Sequence, residues 1–319
     1  MRLFVWLVII FILGIACTRN FNNSCSLAKV KKLYSRKQYF EALECVERAI
    51  ESNPENFMLY NEKGCILVNL GKAEEALECI EKAIALKSDD NGPYNNKAWA
   101  LYELGRFEES LEFSNKSLKI NSKDYFPHVN KGNSLLALGK YEEAIDAYEG
   151  ALILDKNGAF ALYGKGLAEF YVEKYEACVE TFKRYVGVGE SKEDAYCYII
   201  KALNYIGEYQ ELIKFCDRLF KLNSGIHWAY LAKGDALCYL GKFKEGLELF
   251  DKAIQLRPDY AEAYYYKCRI LALFRCIDEA MKELKLAVKL DDSYKQIALE
   301  DDFLNNIKVF SEFRKIVLE

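Results

Sequence analysis

Four segments of this chain are copies of one another: GKAEEALECIEKAI (71–84), GRFEESLEFSNKSL (105–118), GKYEEAIDAYEGAL (139–152) and GKFKEGLELFDKAI (241–254). The first three begin 34 residues apart, and the fourth begins 102 residues after the third, three further periods. Self-similarity at a fixed period of this length means a small supersecondary unit that cannot bury its apolar face alone and must stack on its neighbours. Units of 34 residues fit as 23–56, 57–90, 91–124, 125–158, 159–192, 193–226, 227–260 and 261–294, without insertion.

Each unit reads as helix, short turn, helix. In 125–158, Val129, Gly132, Leu135 and Leu136 mark the first helix, and Gly139 ends it, as glycine does when it takes the left-handed conformation. Tyr141, Ala144, Ile145 and Tyr148 then give a second apolar stripe at helical spacing. Small residues recur at fixed places: Gly64, Ala98, Gly132, Gly166 and Gly234 in first helices, and Ala42, Ala76, Ser110 and Ala144 in second helices. They let paired helices approach closely. The pattern predicts an all-α array.

The places within the unit sharpen this. Place 4 holds Tyr60, Tyr94, Tyr196, Tyr230 and Tyr264; place 17 holds Tyr39, Phe107, Tyr141, Tyr175, Tyr209 and Phe243. Place 27 holds Ala49, Ala83, Ala151, Ala253 and Ala287, and place 32 holds Pro54 and Pro258. With small residues at places 8 and 20 and glycine at place 15, the units resemble tetratricopeptide repeats. The resemblance implies a right-handed superhelical solenoid whose first helices line a concave side. Two units depart from it. In 159–192, Glu173 stands where the turn glycine belongs, and the unit ends in YVGVGE, a candidate softer joint. In 193–226, Ile200 and Leu212 replace the small residues at places 8 and 20.

Little in the chain points to chemistry. Formal net charge is -4, from 44 basic and 48 acidic residues, and no basic stretch is long enough for nucleic acid. The only histidines, His128 and His227, fall in distant units. No HExxH, GxSxG or phosphate-binding glycine loop occurs, so neither an enzyme, a bound metal nor a cofactor is expected. Acidic pairs such as Glu74–Glu75, Glu108–Glu109 and Glu142–Glu143 open second helices, where the helix dipole favours carboxylates. The eleven cysteines show no CxxC spacing and read as buried free thiols, with one or two disulfides as the alternative.

The two ends have their own character. Residues 3–16 are apolar, follow Arg2, and stop at Cys17. That run is shorter than a usual membrane span and favours a signal peptide, with an uncleaved anchor, and an ordinary cleaved signal or mis-start, as the alternatives. Ile15 and Ala16 before the cysteine resemble the end of a bacterial lipoprotein signal, although Gly14 stands where Leu or Val is usual. The resemblance implies removal of residues 1–16, a lipid on Cys17, a tether over 17–22, and a place in the bacterial cell envelope. At the other end, Tyr294, Ile297 and Ala298, then Phe303, Ile307, Phe310 and Phe313, form two amphipathic stretches, and 295–319 is expected to cap the array.

In the resembled family, places 2, 5, 6, 9, 12 and 13 commonly face the concave side. Here these include Asn61; Asn95, Asn96 and Trp99; Asn130 and Asn133; Tyr163 and Tyr171; Tyr198, Lys201 and Asn204; Trp228, Asp235 and Tyr239; then Tyr266 and Arg269. An Asn amide carries both a donor and an acceptor and so matches a peptide unit, while aromatic rings offer rigid apolar surface. Asn61, Asn95, Asn96, Asn130 and Asn133 are a candidate ladder, and Tyr163, Tyr171, Tyr198, Trp228 and Tyr266 a candidate wall. The expected function is a membrane-tethered scaffold that holds a protein or an extended peptide on this face. The alternatives are a structural component binding through second helices or array ends, and a carbohydrate-binding module.

Overall fold

The computed structural model describes residues 25–318, and every regular element among them is helical. Cys17, the leader and the whole of the tether lie outside the described residues. First helices run Leu27–Ser35, Phe57–Asn69, Asn91–Glu103, Tyr125–Ala137, Ala159–Tyr171, Lys192–Ile206, His227–Tyr239 and Ala261–Leu273. Their partners run Tyr39–Ser52, Ala73–Leu86, Phe107–Ile120, Tyr141–Leu154, Tyr175–Val188, Tyr209–Leu222, Phe243–Leu256 and Ile277–Leu290. Each second helix therefore begins at place 17 and ends at place 30. The class is the all-α solenoid of helix-turn-helix repeats. Among the described residues no helix is long and apolar enough to cross a membrane.

Local chemistry starts and stops these helices. Asn56, Asp90 and Asp124 cap first helices, their side-chain oxygens accepting from the N–H of Met58, Gly92 and Phe126 at 3.1, 2.9 and 3.3 Å. Second helices lack side-chain caps; carboxylates in their first turn face the free N–H groups instead. Place 15 makes the turn. Gly71, Gly105, Gly139, Gly207 and Gly241 sit there at φ of 73–77°. Lys37, Glu173 and Arg275 occupy the same place at φ of 59–60°. The missing glycine thus changes nothing in the turn: Lys174 N–H still reaches Glu169 O at 2.9 Å, as Lys72 N–H reaches Leu67 O.

Between the two helices of a unit, places 8 and 24 meet. A β-carbon added to Gly132 would stand 2.6 Å from the Tyr148 ring, and one added to Gly234 2.7 Å from the Phe250 ring. Gly64 gives way to Ile80 in the same manner. The pair changes together elsewhere: Ala98 is paired with Ser114, Cys268 with Leu284, and Ile200 with Cys216. The large Ile200, out of place by the family pattern, is buried, and the residue at its place 24, Cys216, is small and buried as well. At Ser110 the close approach is also bonded, its Oγ donating to Ala98 O at 2.7 Å.

Between successive units a second regularity appears. Lys63, Lys97, Lys165, Lys233 and Lys267, all at place 7, pair with Glu47, Glu81, Glu149, Asp217 and Asp251, all at place 25 of the unit before, over 2.5–2.9 Å. Asn115 occupies that place ahead of Lys131, and no ion pair forms there. Each such half-exposed pair is worth no more than about 1 kcal/mol. Repetition makes it a register mark.

The chain divides into two compact units, residues up to 168 and residues from 169 on. The first is built on Val30, Val46, Ile66 and Leu67 with Ile80 and Ala100. In the second, Phe250, Leu231 and Ala263 form one core, and Tyr265, Met281 and Leu284 another, which Ala298, Leu304, Ile307, Phe313 and Val317 close. The YVGVGE stretch lies inside this second unit, helical through Val188, so the division does not fall at the expected soft joint. The C-terminal stretch from Phe303 is likewise broken rather than continuous, into Asp302–Leu304, Asn305–Lys308 and Ser311–Leu318. Phe303 and Phe310 stay exposed while Ile307 and Phe313 are buried.

Left-handed backbone costs an ordinary residue about 1–2 kcal/mol, and glycine loosens the unfolded chain by about 0.4–1 kcal/mol. Glu173→Gly is therefore expected to stabilise the protein by about 0.5–1 kcal/mol, read as a later urea midpoint. Gly139→Glu should move the midpoint the other way. A loss in Glu173→Gly would contradict the assigned turn.

Candidate functional site

In the first unit the predicted asparagines meet one another. Asn130 Nδ2 donates to Asn95 Oδ1 at 2.9 Å, Asn95 Nδ2 to Asn96 Oδ1 at 3.3 Å, and Asn96 Nδ2 to Asn61 Oδ1 at 2.8 Å. One amide chain thus crosses three first helices. Asn133 stands apart from it, accepting from the Tyr148 hydroxyl at 2.7 Å. Trp99 Nε1 donates to Glu103 Oε1 at 3.1 Å. Asn95 and Asn96 each use one donor and one acceptor sideways, and one of each remains for a peptide backbone. Tyr163 is half-buried in this unit.

In the second unit the predicted residues converge. Lys201, Asn204, Trp228 and Tyr266 line one cleft of ≈ 260 Å³, together with Asp235 and Glu262. Asp235 also lines a neighbouring recess of ≈ 190 Å³, whose walls are Tyr239, Phe243, Ile270, Leu273 and Phe303, with Arg269 at its edge. Lys201, Asn204, Trp228, Asp235, Tyr239, Glu262, Tyr266, Arg269 and Leu273 come from inward places of the last three first helices, Phe243 opens a second helix, and Phe303 belongs to the C-terminal segment. Tyr171 and Tyr198 do not join them. Tyr171 is exposed beside the Phe170 ring, and the Tyr198 ring stacks on Phe182 at 5.3 Å and 6°. Lys201 Nζ stands 5.7 Å from the Tyr198 ring.

The charges in the cleft are unequally satisfied. Arg269 Nε lies 3.0 Å from Asp301 Oδ2, which also accepts from the Tyr265 hydroxyl at 2.7 Å. The guanidinium covers the Phe303 ring at 4.2 Å. Asp301 also caps Phe303 N–H at 2.9 Å through its other oxygen. Glu262 accepts from the Tyr260 hydroxyl at 2.7 Å. Asp235 has no hydrogen bond or ion pair with any described residue. Burial pushes its carboxyl up to about 6; Arg269 opposes the rise and Glu262 adds to it.

Sequence reasoning placed Asp235 on the inward face without singling it out. Its signal was a carboxylate at place 9, where Asn133, Lys201 and Arg269 stand in other units. Phe303 carried no signal, because its approach depends on how the C-terminal segment turns back.

Comparisons with known proteins agree with this architecture. Tetratricopeptide-repeat profiles match residues 45–78, 129–192 and 234–267, and the profile of anaphase-promoting complex, cyclosome, subunit 3 matches 72–151. The matched segments are similar to tetratricopeptide repeats. A search of curated proteins finds no match. Among solved structures, YrrB, described as a tetratricopeptide protein with an unusual peptide-binding site, is 26% identical with a TM-score of 0.57, over 60% of this chain and 98% of that one. PilF of Pseudomonas aeruginosa is 16% identical with a TM-score of 0.57, over 70% and 99%. PilW, a type IV pilus biogenesis factor, is 21% identical with a TM-score of 0.56, over 61% and 90%. The last two are likenesses of fold alone.

The repeat fold is typical of non-catalytic protein–protein interaction modules. Among the described residues no group of three or more His, Cys, Asp or Glu side chains could hold a metal ion. Nor does a disulfide join the described cysteines, and burial pushes the thiols of Cys178 and Cys216 up to about 12, far from the thiolate that cysteine chemistry needs.

The raised Asp235 carboxyl has a consequence for stability. As pH climbs from about 4 to about 6, an unfolded Asp loses its proton before the folded one does, so the native state loses stability across that window. The loss is complete above it. Asp235→Asn is therefore expected to be near neutral at pH 4 and stabilising by about 3 kcal/mol at pH 7.5, measured by urea unfolding at both values. Equal effects at the two pH values would contradict the assignment.

Proposed function

We propose that this protein is a scaffold that holds a protein partner through an extended peptide laid along its first helices, and that it works on a bacterial envelope membrane, tethered by a lipid on Cys17. One observation carries the binding reading: Lys201, Asn204, Trp228, Tyr266 and Arg269, chosen from sequence as inward-facing, line adjoining clefts in the second unit. Such clefts combine aromatic surface with a few polar groups, the composition that binds peptides well. The described peptide-binding site of YrrB, similar at 26% identity, supports the same class of ligand. The tether rests on sequence: residues 3–16 are apolar and end at Cys17.

The two halves are tested separately. On an array of random decapeptides, the protein should retain a subset, and Trp228→Ala or Tyr266→Ala should weaken retention about tenfold, while Lys252→Ala on a second helix should not. Retention insensitive to both aromatic changes would favour the convex-face alternative. For the tether, a clickable fatty acid fed to bacteria expressing the full chain should label the wild type and not Cys17→Ser. An unlabelled wild type would refute the lipid anchor without touching the array.

A further inference from the structure

Asp235 is the one residue shared by the polar cleft and the apolar recess. It sits half-buried on the helix His227–Tyr239, where the neighbouring cation is already engaged: Arg269 is held by Asp301. Glu262, across the cleft, is of the same sign and answers to Tyr260. Lys201 lines the same cleft but makes no ion pair with Asp235. A carboxylate partly withdrawn from water gains by meeting a cation, and inside the described fold only the field of Arg269, itself paired with Asp301, opposes the cost of its burial. Both its burial and its position between two cavities direct it at something from outside.

The recess beside it states what accompanies that group. One helical turn beyond Asp235, Cys238 and Tyr239 begin the apolar wall, which Phe243, Ile270, Leu273 and Phe303 complete. Tyr239, Leu273 and Phe303 are 55%, 43% and 45% exposed, so apolar surface is open at the mouth. Arg269 stacked on Phe303 holds that ring in place. On a helix, side chains one turn apart stand about 5–6 Å from each other. In an extended peptide, residues i and i+2 lie on one side about 6.6 Å apart. The two spacings match.

Resting on the peptide-binding reading above, we infer that the second unit selects a peptide segment in which a lysine or arginine is separated by one residue from a large apolar side chain, the cation meeting Asp235 and the apolar group entering the recess lined by Tyr239, Leu273 and Phe303. This is a charge preference opposite to that of a basic clamp for carboxylates. The cleft recognises the pair, and the order of the two residues gives direction to the bound chain.

The probe is an immobilised array of decapeptides of one frame, varied at two positions: Lys, Arg, Gln or Glu at the first, and Leu, Phe or Ser two residues on. Full-length wild type and Asp235→Asn are compared at pH 7.5 and moderate salt, each first shown to be folded by circular dichroism. The expected result is at least tenfold stronger retention of Lys/Arg with Leu/Phe than of Gln with Leu/Phe. In Asp235→Asn that basic preference should collapse to within about twofold, with the preference for Leu or Phe over Ser intact. Leu273→Ser should do the converse, keeping the basic preference and losing the apolar one. Retention of peptides with no basic preference, or with a basic preference that survives Asp235→Asn, would overturn this inference and leave the scaffold reading standing. No retention of any peptide would overturn both.

Discussion

The paired volumes at places 8 and 24 are the constraint on which the rest depends. Two helices in a hairpin pack closely only where their facing side chains fill the gap without overlap. In this chain the solution is exchanged between partners: glycine against a ring in 125–158 and 227–260, alanine against serine in 91–124, isoleucine against cysteine in 193–226. Tyr148 shows how tight the fit is, since a β-carbon at Gly132 or at Gly164 would enter its ring. With the hairpin held from within, the lysine–carboxylate pairs at places 7 and 25 need only mark how one unit follows the next.

This division of labour leaves the inward places of the first helices free to vary. In the first unit they carry amides that link three repeats sideways, from Asn130 through Asn95 and Asn96 to Asn61. In the second they carry rings and charges around two adjoining cavities, with one carboxylate unmatched. The same scaffold therefore has a polar, internally bonded stretch and an open, apolar one. The second holds, between its two cavities, a part-buried carboxylate with no hydrogen bond or ion pair to any described residue, which is where a partner adds most.

Much of the fold was legible in the sequence because the period does the work of an alignment. Turn positions, helix pairs and small-residue places all follow from writing the chain in rows of 34. Glu173 was legible only in part: the row shows that glycine is missing, but not that the backbone keeps its left-handed turn regardless. Ile200 looked like a break until Cys216 was set opposite it, a relation between two places that inspection of each place alone does not reveal. The site was harder. Which places face inward could be named, yet whether an Asn meets a ligand or another Asn depends on distances between helices. Asp301 and Phe303 reach Arg269 only because the C-terminal segment folds back in short pieces, and no periodicity encodes that.

The most direct test of the packing account is a double-mutant cycle that moves the Ile200–Cys216 solution into the unit 125–158. Gly132→Ile alone should overpack against Tyr148, and Tyr148→Cys alone should leave a cavity, each costing on the order of 2–4 kcal/mol in urea unfolding. If places 8 and 24 share one volume, the double variant should be clearly more stable than the sum of the two losses, with a coupling of about 1–3 kcal/mol. Losses that simply add would mean that the two places do not define each other, and the account would be wrong at its base.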